Sequence, residues 1–422
     1  MTGQYLEKIK KTLVVIAVVL VAYSLIMHFE GKAEPAKSQE NTGRVANKNL
    51  GSETKSPALL WEAYYGGGFG KDQVIETGGE AVRISTKTDG GWYGAKADFE
   101  VEDLSQSTIA FKLRMDDWSA VSQILLVLSS DDGLENYYGL NLANYFANPA
   151  SNEWLAVNVE TAEFETIAGT PDWANISTMA VRVVAKDGRF LRVWLDDVTF
   201  LPKAESNAII SLTFDDGFLS AFDVVPAMQT YQMTGTAFVG LEFVGREGYL
   251  TDREVVELSN LGWEIGGHSD KNLTELSSAE VDSTLAEVRA YLDSHHFAGR
   301  EHFAYPNGGY NESVSSQVLE YFATGRTIDG FLQPTNLLYP DHINAVTISS
   351  ATPISQVIRL VDQAKENGSW LVLVWHNFTD VPKKDTDYLL DDFNFLVEYL
   401  HKNNITVKPY GEAYQIVKDR QK

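Results

Sequence analysis

The 422-residue chain contains no cysteine. That excludes disulfide frameworks, thiolate metal sites and cysteine nucleophiles, and leaves any metal to His, Asp, Glu or Asn. Positive charge is also scarce: 34 Lys and Arg face 58 Asp and Glu, a formal net charge of −24. A surface that acidic disfavours non-specific nucleic-acid binding, which needs clustered cations against phosphate. There is no internal repeat. Histidine is unevenly spread, with none between residues 58 and 203 and seven of the eight after residue 204. The 44% apolar and 22% charged residues give the balance of a globular chain, and the length predicts two folded units.

One long apolar run, Leu13 to Phe29, is about 17 residues, the short end of what spans a bilayer. Lys8, Lys10 and Lys11 precede it, so the positive-inside bias keeps the N-terminus cytoplasmic and sends the rest across. Residues 1–30 therefore read as a cytoplasmic tip and single-pass anchor in the cytoplasmic membrane. Cleavage and secretion is the rival reading. It needs small residues at a cleavage site soon after the run, but His28, Phe29, Glu30, Gly31 and Lys32 come first, and Glu34 fits badly in the one weak candidate, Ala33-Glu-Pro-Ala36. Residues 31–57 have no aromatic side chain and are rich in Lys, Glu, Asn, Ser and Gly, the composition of a flexible linker.

From 58 to 203 short β-type runs recur between turn signals, at 81–86, 108–115, 123–130, 154–160, 179–185 and 190–200. Alternation puts Ile109, Phe111 and Leu113 on one face. The pattern predicts an all-β sandwich of jelly-roll type. From 204 to 422 apolar strands alternate with helical stretches near 251–260, 278–294, 312–322, 353–366 and 386–402. That alternation predicts a mostly parallel sheet closed into a distorted (β/α) barrel.

Chemistry-bearing residues end the strands of this second half, the edge where barrel active sites are built. Thr213-Phe-Asp-Asp-Gly217 closes an apolar strand with two adjacent carboxylates, Asp215 and Asp216. A turn at Gly217 can break strand alternation and bring both into one pocket, one for a cation and one free as a base. His268 with Asn272 four residues on has a ligand-pair spacing. Phe303-Ala-Tyr-Pro-Asn-Gly308 and Leu373-Val-Trp-His376 end two further strands.

Over residues 205–418 these motifs resemble the polysaccharide deacetylase family, the metal-dependent carbohydrate esterases with a NodB-like domain. The resemblance implies Asp215 as general base, Asp216 and His268 as metal ligands, and His376 as the acid that protonates the leaving amine. Asn272 falls where the family has a second ligand His. Ala304, Tyr305, Pro306 and Asn307 align with an Arg-x-Pro-Tyr motif, departing at the Arg and the final Tyr. The implied oxyanion donor is the backbone N–H of Asn307, with Tyr305, Pro306 and Trp375 on the substrate and Arg326 orienting Asp215. The expected cofactor is a divalent metal, zinc first, with cobalt, nickel or manganese as alternatives. The expected reaction releases acetate from an extracytoplasmic N-acetylglucosamine-containing polysaccharide. A catalytically weak glycan-binding surface protein is the alternative.

Six of the nine Trp lie in the sandwich half: Trp61, Trp92, Trp118, Trp154, Trp173 and Trp194. Flat aromatic faces stack on sugar rings, and the segment resembles carbohydrate-binding modules, with one or two aromatics expected on sugar and the rest in the core. The Leu195-Asp-Asp-Val198 ending resembles strands that bind structural calcium.

Overall fold

The computed structural model describes residues 59–65, 75–78, 81–146, 149, 151–203, 207–335 and 337–420. The anchor expected at 1–30 and the linker expected at 31–57 lie outside the described residues. Among the described residues no helix is long and apolar enough to cross a membrane.

The first half is two antiparallel sheets packed face to face. One is ordered β1-β4-β10-β6-β7-β9, built from Leu60–Tyr65, Trp92–Glu102, Ile176–Ala185, Val121–Ser129, Tyr137–Asn141 and Glu165–Ala168. The other is ordered β2-β3-β11-β5-β8, built from Ile75–Gly78, Ala81–Ser85, Arg192–Pro202, Ser107–Met115 and Leu155–Glu160. In β5 the period of two turns Ile109, Phe111 and Leu113 inward, all fully buried, while Lys112 and Arg114 stay part-exposed.

The second half is a curled parallel sheet ordered β16-β15-β14-β13-β12-β18-β17. Its strands are Thr324–Arg326, His302–Ala304, Glu264–His268, Thr236–Gly240, Ile209–Asp216, Trp370–Trp375 and Val346–Thr347. Thr406–Val407 adds a short strand beside the start of β12. The expected closed barrel is not made by a continuous ladder among the described residues. One isolated parallel bridge, Arg326 with Ile343, ties β16 to the segment entering β17. Helices cover the outer face. Asp252–Asn260 and Ser278–Ser294 each start with a capping box, Thr251 with Glu254 and Ser277 with Glu280. Ile354–Asn367 stops at Gly368, whose φ of 66° is the left-handed C-terminal cap.

Alternation along β12 sorts the two faces. Ile210, Leu212 and Phe214 point to the helix layer, whereas Ile209 joins the cluster inside the curl. The two halves interlock: Leu155 of β8 is part of the second core, and Phe331 is part of the sandwich core. Tyr145 stacks on Phe331 at 4.2 Å, and Lys203 pairs with the buried Glu160 at 2.7 Å.

Candidate active site

Asp215, Asp216, His268, Ala304, Arg326 and His376 all end, or directly follow, neighbouring parallel strands. The sheet therefore gathers at its carboxyl edge side chains up to about 160 residues apart in sequence. Asp215 lies on the inner face by parity, and simple alternation would send Asp216 to the helices. Instead Asp216 has φ 68° and Gly217 φ 85°. This turn swings the second carboxylate back to the pocket, at a strain cost an Asp tolerates better than a bulky residue does.

Asp215 is 3% exposed and Arg326 is 0% exposed. The Arg326 Nη2 donates to Asp215 Oδ2 at 2.5 Å, and its guanidinium lies 5.2 Å from the Phe238 ring centre. The other carboxylate oxygen, Oδ1, is buried with no protein partner. His268 is 4% exposed, its Nδ1 lies 2.8 Å from the Ala304 carbonyl and its Nε2 lies 3.2 Å from Asp216 Oδ1. A carbonyl can only accept, so Nδ1 carries a proton there, and Nε2 is the ring nitrogen that faces Asp216. Burial opposes charge on both partners. Their mutual contact outweighs it, holding the Asp216 pKa below its ordinary value and the His268 pKa above it, with the Asp215 charge adding to the latter. His376, half-buried, is near enough for its charge to act on Asp216.

An imidazole nitrogen and a carboxylate converge here, two of the three protein ligands that an open catalytic zinc site uses. Asn272 does not complete the set. Its carboxamide oxygen accepts from the Thr274 hydroxyl at 2.8 Å and backbone N–H at 3.2 Å, while its NH2 donates to Glu275 at 2.8 Å. It caps the short turn Leu273–Glu275. Among the described residues, no group of three or more His, Asp or Glu side chains is arranged to hold a metal ion. The calcium expected near Leu195-Asp-Asp-Val198 meets the same absence, and Lys112 takes the Asp197 carboxylate at 2.9 Å.

All three expected substrate contacts, Tyr305, Pro306 and Trp375, are corrected by burial. Trp375 is 0% exposed and Tyr305 is 1% exposed, both packed in the helix-facing core. Parity explains it: Trp375 precedes His376 and so takes the opposite face of the strand. Tyr305 donates to the Asp341 carbonyl at 3.0 Å, and its ring covers Gly325, where a Cβ would come within 2.4 Å of the hydroxyl oxygen. Pro306 is buried too, while Asn307 is exposed with φ 52°.

Sequence reasoning missed three rings beside the pocket. Phe218 stacks on Tyr249 at 4.7 Å, and Tyr249 on Phe243 at 4.8 Å and 8°. The signal available was position: Phe218 directly follows Gly217, and Phe243 follows the end of β13. Burial, then the charge of Asp216, push the Tyr249 hydroxyl above its ordinary pKa.

This acid pair, imidazole and second histidine at the carboxyl edge of a parallel sheet have the composition of a hydrolase site. Residues 203–323 match the family model for polysaccharide deacetylases. No curated protein matches the chain. Among solved structures, the Xyl-CE4 domain of a multidomain xylanase from the hindgut metagenome of Trinervitermes trinervoides is 16% identical, over 50% of this chain and 91% of its own, with a TM-score of 0.37. The peptidoglycan deacetylase PdaC of Bacillus subtilis is 17% identical over 50% and 93%, with a TM-score of 0.34. A family 4 carbohydrate esterase from Streptomyces lividans is 16% identical over 48% and 93%, with a TM-score of 0.35.

Proposed function

We propose that the protein hydrolyses N-acetyl groups on an N-acetylglucosamine-containing polysaccharide outside the cytoplasmic membrane, with a divalent ion held by Asp216 and His268. The observation that carries this reading is the state of Asp215. One oxygen is clamped by Arg326, and the other is buried and unpartnered beside the Asp216–His268 pair. A carboxylate so placed is oriented and has a free lone pair for the proton of an attacking water. When bound, a divalent ion supplies Lewis acidity toward the acetyl carbonyl and a more acidic water. Asp215 takes the proton as the water oxygen bonds to the acetyl carbon, and a backbone N–H at Asn307 donates to the developing oxyanion. His376 gives its proton to the nitrogen as the carbon–nitrogen bond breaks. Acetate and a free amino sugar leave.

The test is acetate release from peptidoglycan, poly-N-acetylglucosamine and chitin, with and without chelator, and after adding back zinc, cobalt, nickel or manganese. Release that is lost with chelator and restored by an ion supports the proposal. Binding to these polymers without acetate release under any ion selects the second reading, a glycan-binding surface protein. Asn272's commitment to its own turn favours that second reading. The address is proposed as residues 1–30 anchoring the chain, so that deleting them moves it from a salt-resistant membrane pellet to the soluble fraction.

A further inference from the structure

With Tyr305 and Trp375 in the core, the pocket's apolar contact with substrate must come from elsewhere. Phe218, half-buried, sits two residues beyond Asp216, beside Leu219, which is 42% exposed. Its neighbour Ser220 bonds to Asn377 Oδ1 at 2.9 Å and accepts from the Phe378 N–H at 3.0 Å, fastening the segment beside His376. Phe218 thus stands at the lip between the Asp216 and His376 strand ends. One face of its ring is backed by Tyr249 and, behind that, Phe243. Among the described residues neither a second ring nor a cation lies over the other face.

The backing is built. Leu219 N–H bonds to the Gly248 carbonyl at 3.0 Å and Leu250 N–H to the Gly217 carbonyl at 2.9 Å, pinning the Tyr249 segment to the Asp-Asp-Gly turn. Phe243 lies flat on the end of β13 because position 240 is glycine, where a Cβ would come within 2.8 Å of the ring. Gly240 in turn pairs with His268 in register, and the Arg246 guanidinium caps Phe243 at 5.3 Å. Aromatic columns held this rigidly lose little freedom on receiving a flat apolar partner.

We propose that the face of Phe218 turned away from Tyr249 is a stacking platform for a pyranose ring of the substrate, with Tyr249 and Phe243 as the residues that position it. This rests on the deacetylase reading and names the residue on which the sugar chain lies. The occupant is a neutral N-acetylated sugar, because the C–H face of a pyranose matches an uncharged ring and the chain's net charge of −24 repels an anionic glycan.

The experiment measures binding of tetra-N-acetylchitotetraose by calorimetry to the zinc-loaded full chain, alongside acetate-release kinetics on the same tetramer. Phe218→Ala should weaken binding and raise KM about tenfold while kcat falls much less, and Phe218→Trp should restore both. Tyr249→Ala should weaken binding less, and Tyr249→Phe should match wild type. Unchanged affinity in Phe218→Ala with an unchanged melting temperature overturns the platform and leaves the deacetylase reading standing. Tetramer binding that depends on Phe218 without any acetate release keeps the platform and overturns the reaction. If Phe218→Ala unfolds, Phe218→Trp and Tyr249→Ala carry the same comparison, and equal affinity in both overturns the platform.

Discussion

The two halves treat tryptophan in opposite ways. Trp263, Trp370 and Trp375 in the parallel-sheet half are at most 1% exposed, whereas all six in the sandwich are only partly buried. The sandwich core is filled by aliphatic side chains and a few rings such as Phe111 and Tyr93. Part exposure is not freedom, however. Arg114 lies between Trp154 and Trp194 at 4.8 and 4.4 Å, Arg182 lies over Trp92 at 5.1 Å, and Trp173 stacks on Tyr138 at 3.9 Å. A guanidinium over an indole face occupies the place a sugar would take. The charged groups follow the reverse rule. The sandwich leaves its Lys112–Asp197 pair part-exposed and buries Lys203–Glu160 only where it meets the second half, which buries Asp215 and Arg326 at the strand ends.

The largest expected effect breaks that buried pair. Asp215→Asn removes the proposed base, so under the proposed reaction acetate release should fall by about 10²–10⁴-fold. It also leaves the Arg326 charge buried without a counter-charge, which should cost about 3–5 kcal/mol in urea unfolding. Asp197→Asn, which breaks the part-exposed Lys112 pair, should cost less than about 1 kcal/mol and leave acetate release as it was. Equal losses of stability in the two variants would erase the distinction between the halves.

The tryptophans give the next contrast. Trp375→Ala empties a site among Phe214, Phe393 and Tyr388 and should cost about 3–5 kcal/mol. Trp194→Ala loses one cation–π contact on a half-exposed sheet face and should cost about 1 kcal/mol. Denaturant midpoints at a common m-value decide between them.

What the sequence made legible follows from periodicity. The alternating runs became β3, β5, β6, β8, β10 and β11. Two helices escaped. Ala221–Thr230 carries Pro226, and Tyr410–Asp419 follows directly on Pro409. The eleven-residue β4 escaped because Gly94 and its polar flanks hide the alternation. At the site, strand-end motifs identified which residues gather. The face that each occupies was readable only by counting parity, which would have sent Trp375 and Tyr305 to the core. The hydrogen bonds that claim Asn272 are local, and no spacing rule reveals them.

Where the halves meet, Glu163 accepts from the Glu160 and Leu332 N–H groups, and desolvation pushes its carboxyl up to about 8 against those two donors. A raised folded pKa favours the protonated form. Its stabilising contribution is whole below the unfolded value of about 4.3 and is lost as pH rises through 8. Wild type should therefore lose stability between pH 5 and 8 relative to Glu163→Gln, in thermal melts at matched ionic strength. The opposite slope would mean that the two N–H donors prevail over desolvation.

The smallest effect concerns Asn272, where a ligand was expected and a cap is found. Its oxygen serves the Thr274 N–H and hydroxyl, so Asn272→Ala should cost about 1 kcal/mol, the ordinary loss of an N-terminal cap. Under the proposed assignment of the ion to Asp216 and His268, zinc affinity by chelator competition should be equal in wild type and Asn272→Ala. Asp216→Asn should lose it in the same assay. Thermal unfolding without added metal isolates the cap, because no ion then contributes to either state. A drop in zinc affinity for Asn272→Ala larger than about threefold, with little change in metal-free stability, would mean that the carboxamide turns from Thr274 to the ion. Equal affinity with lowered stability keeps Asn272 as a structural residue, and the cation then depends on one carboxylate and one imidazole of this chain.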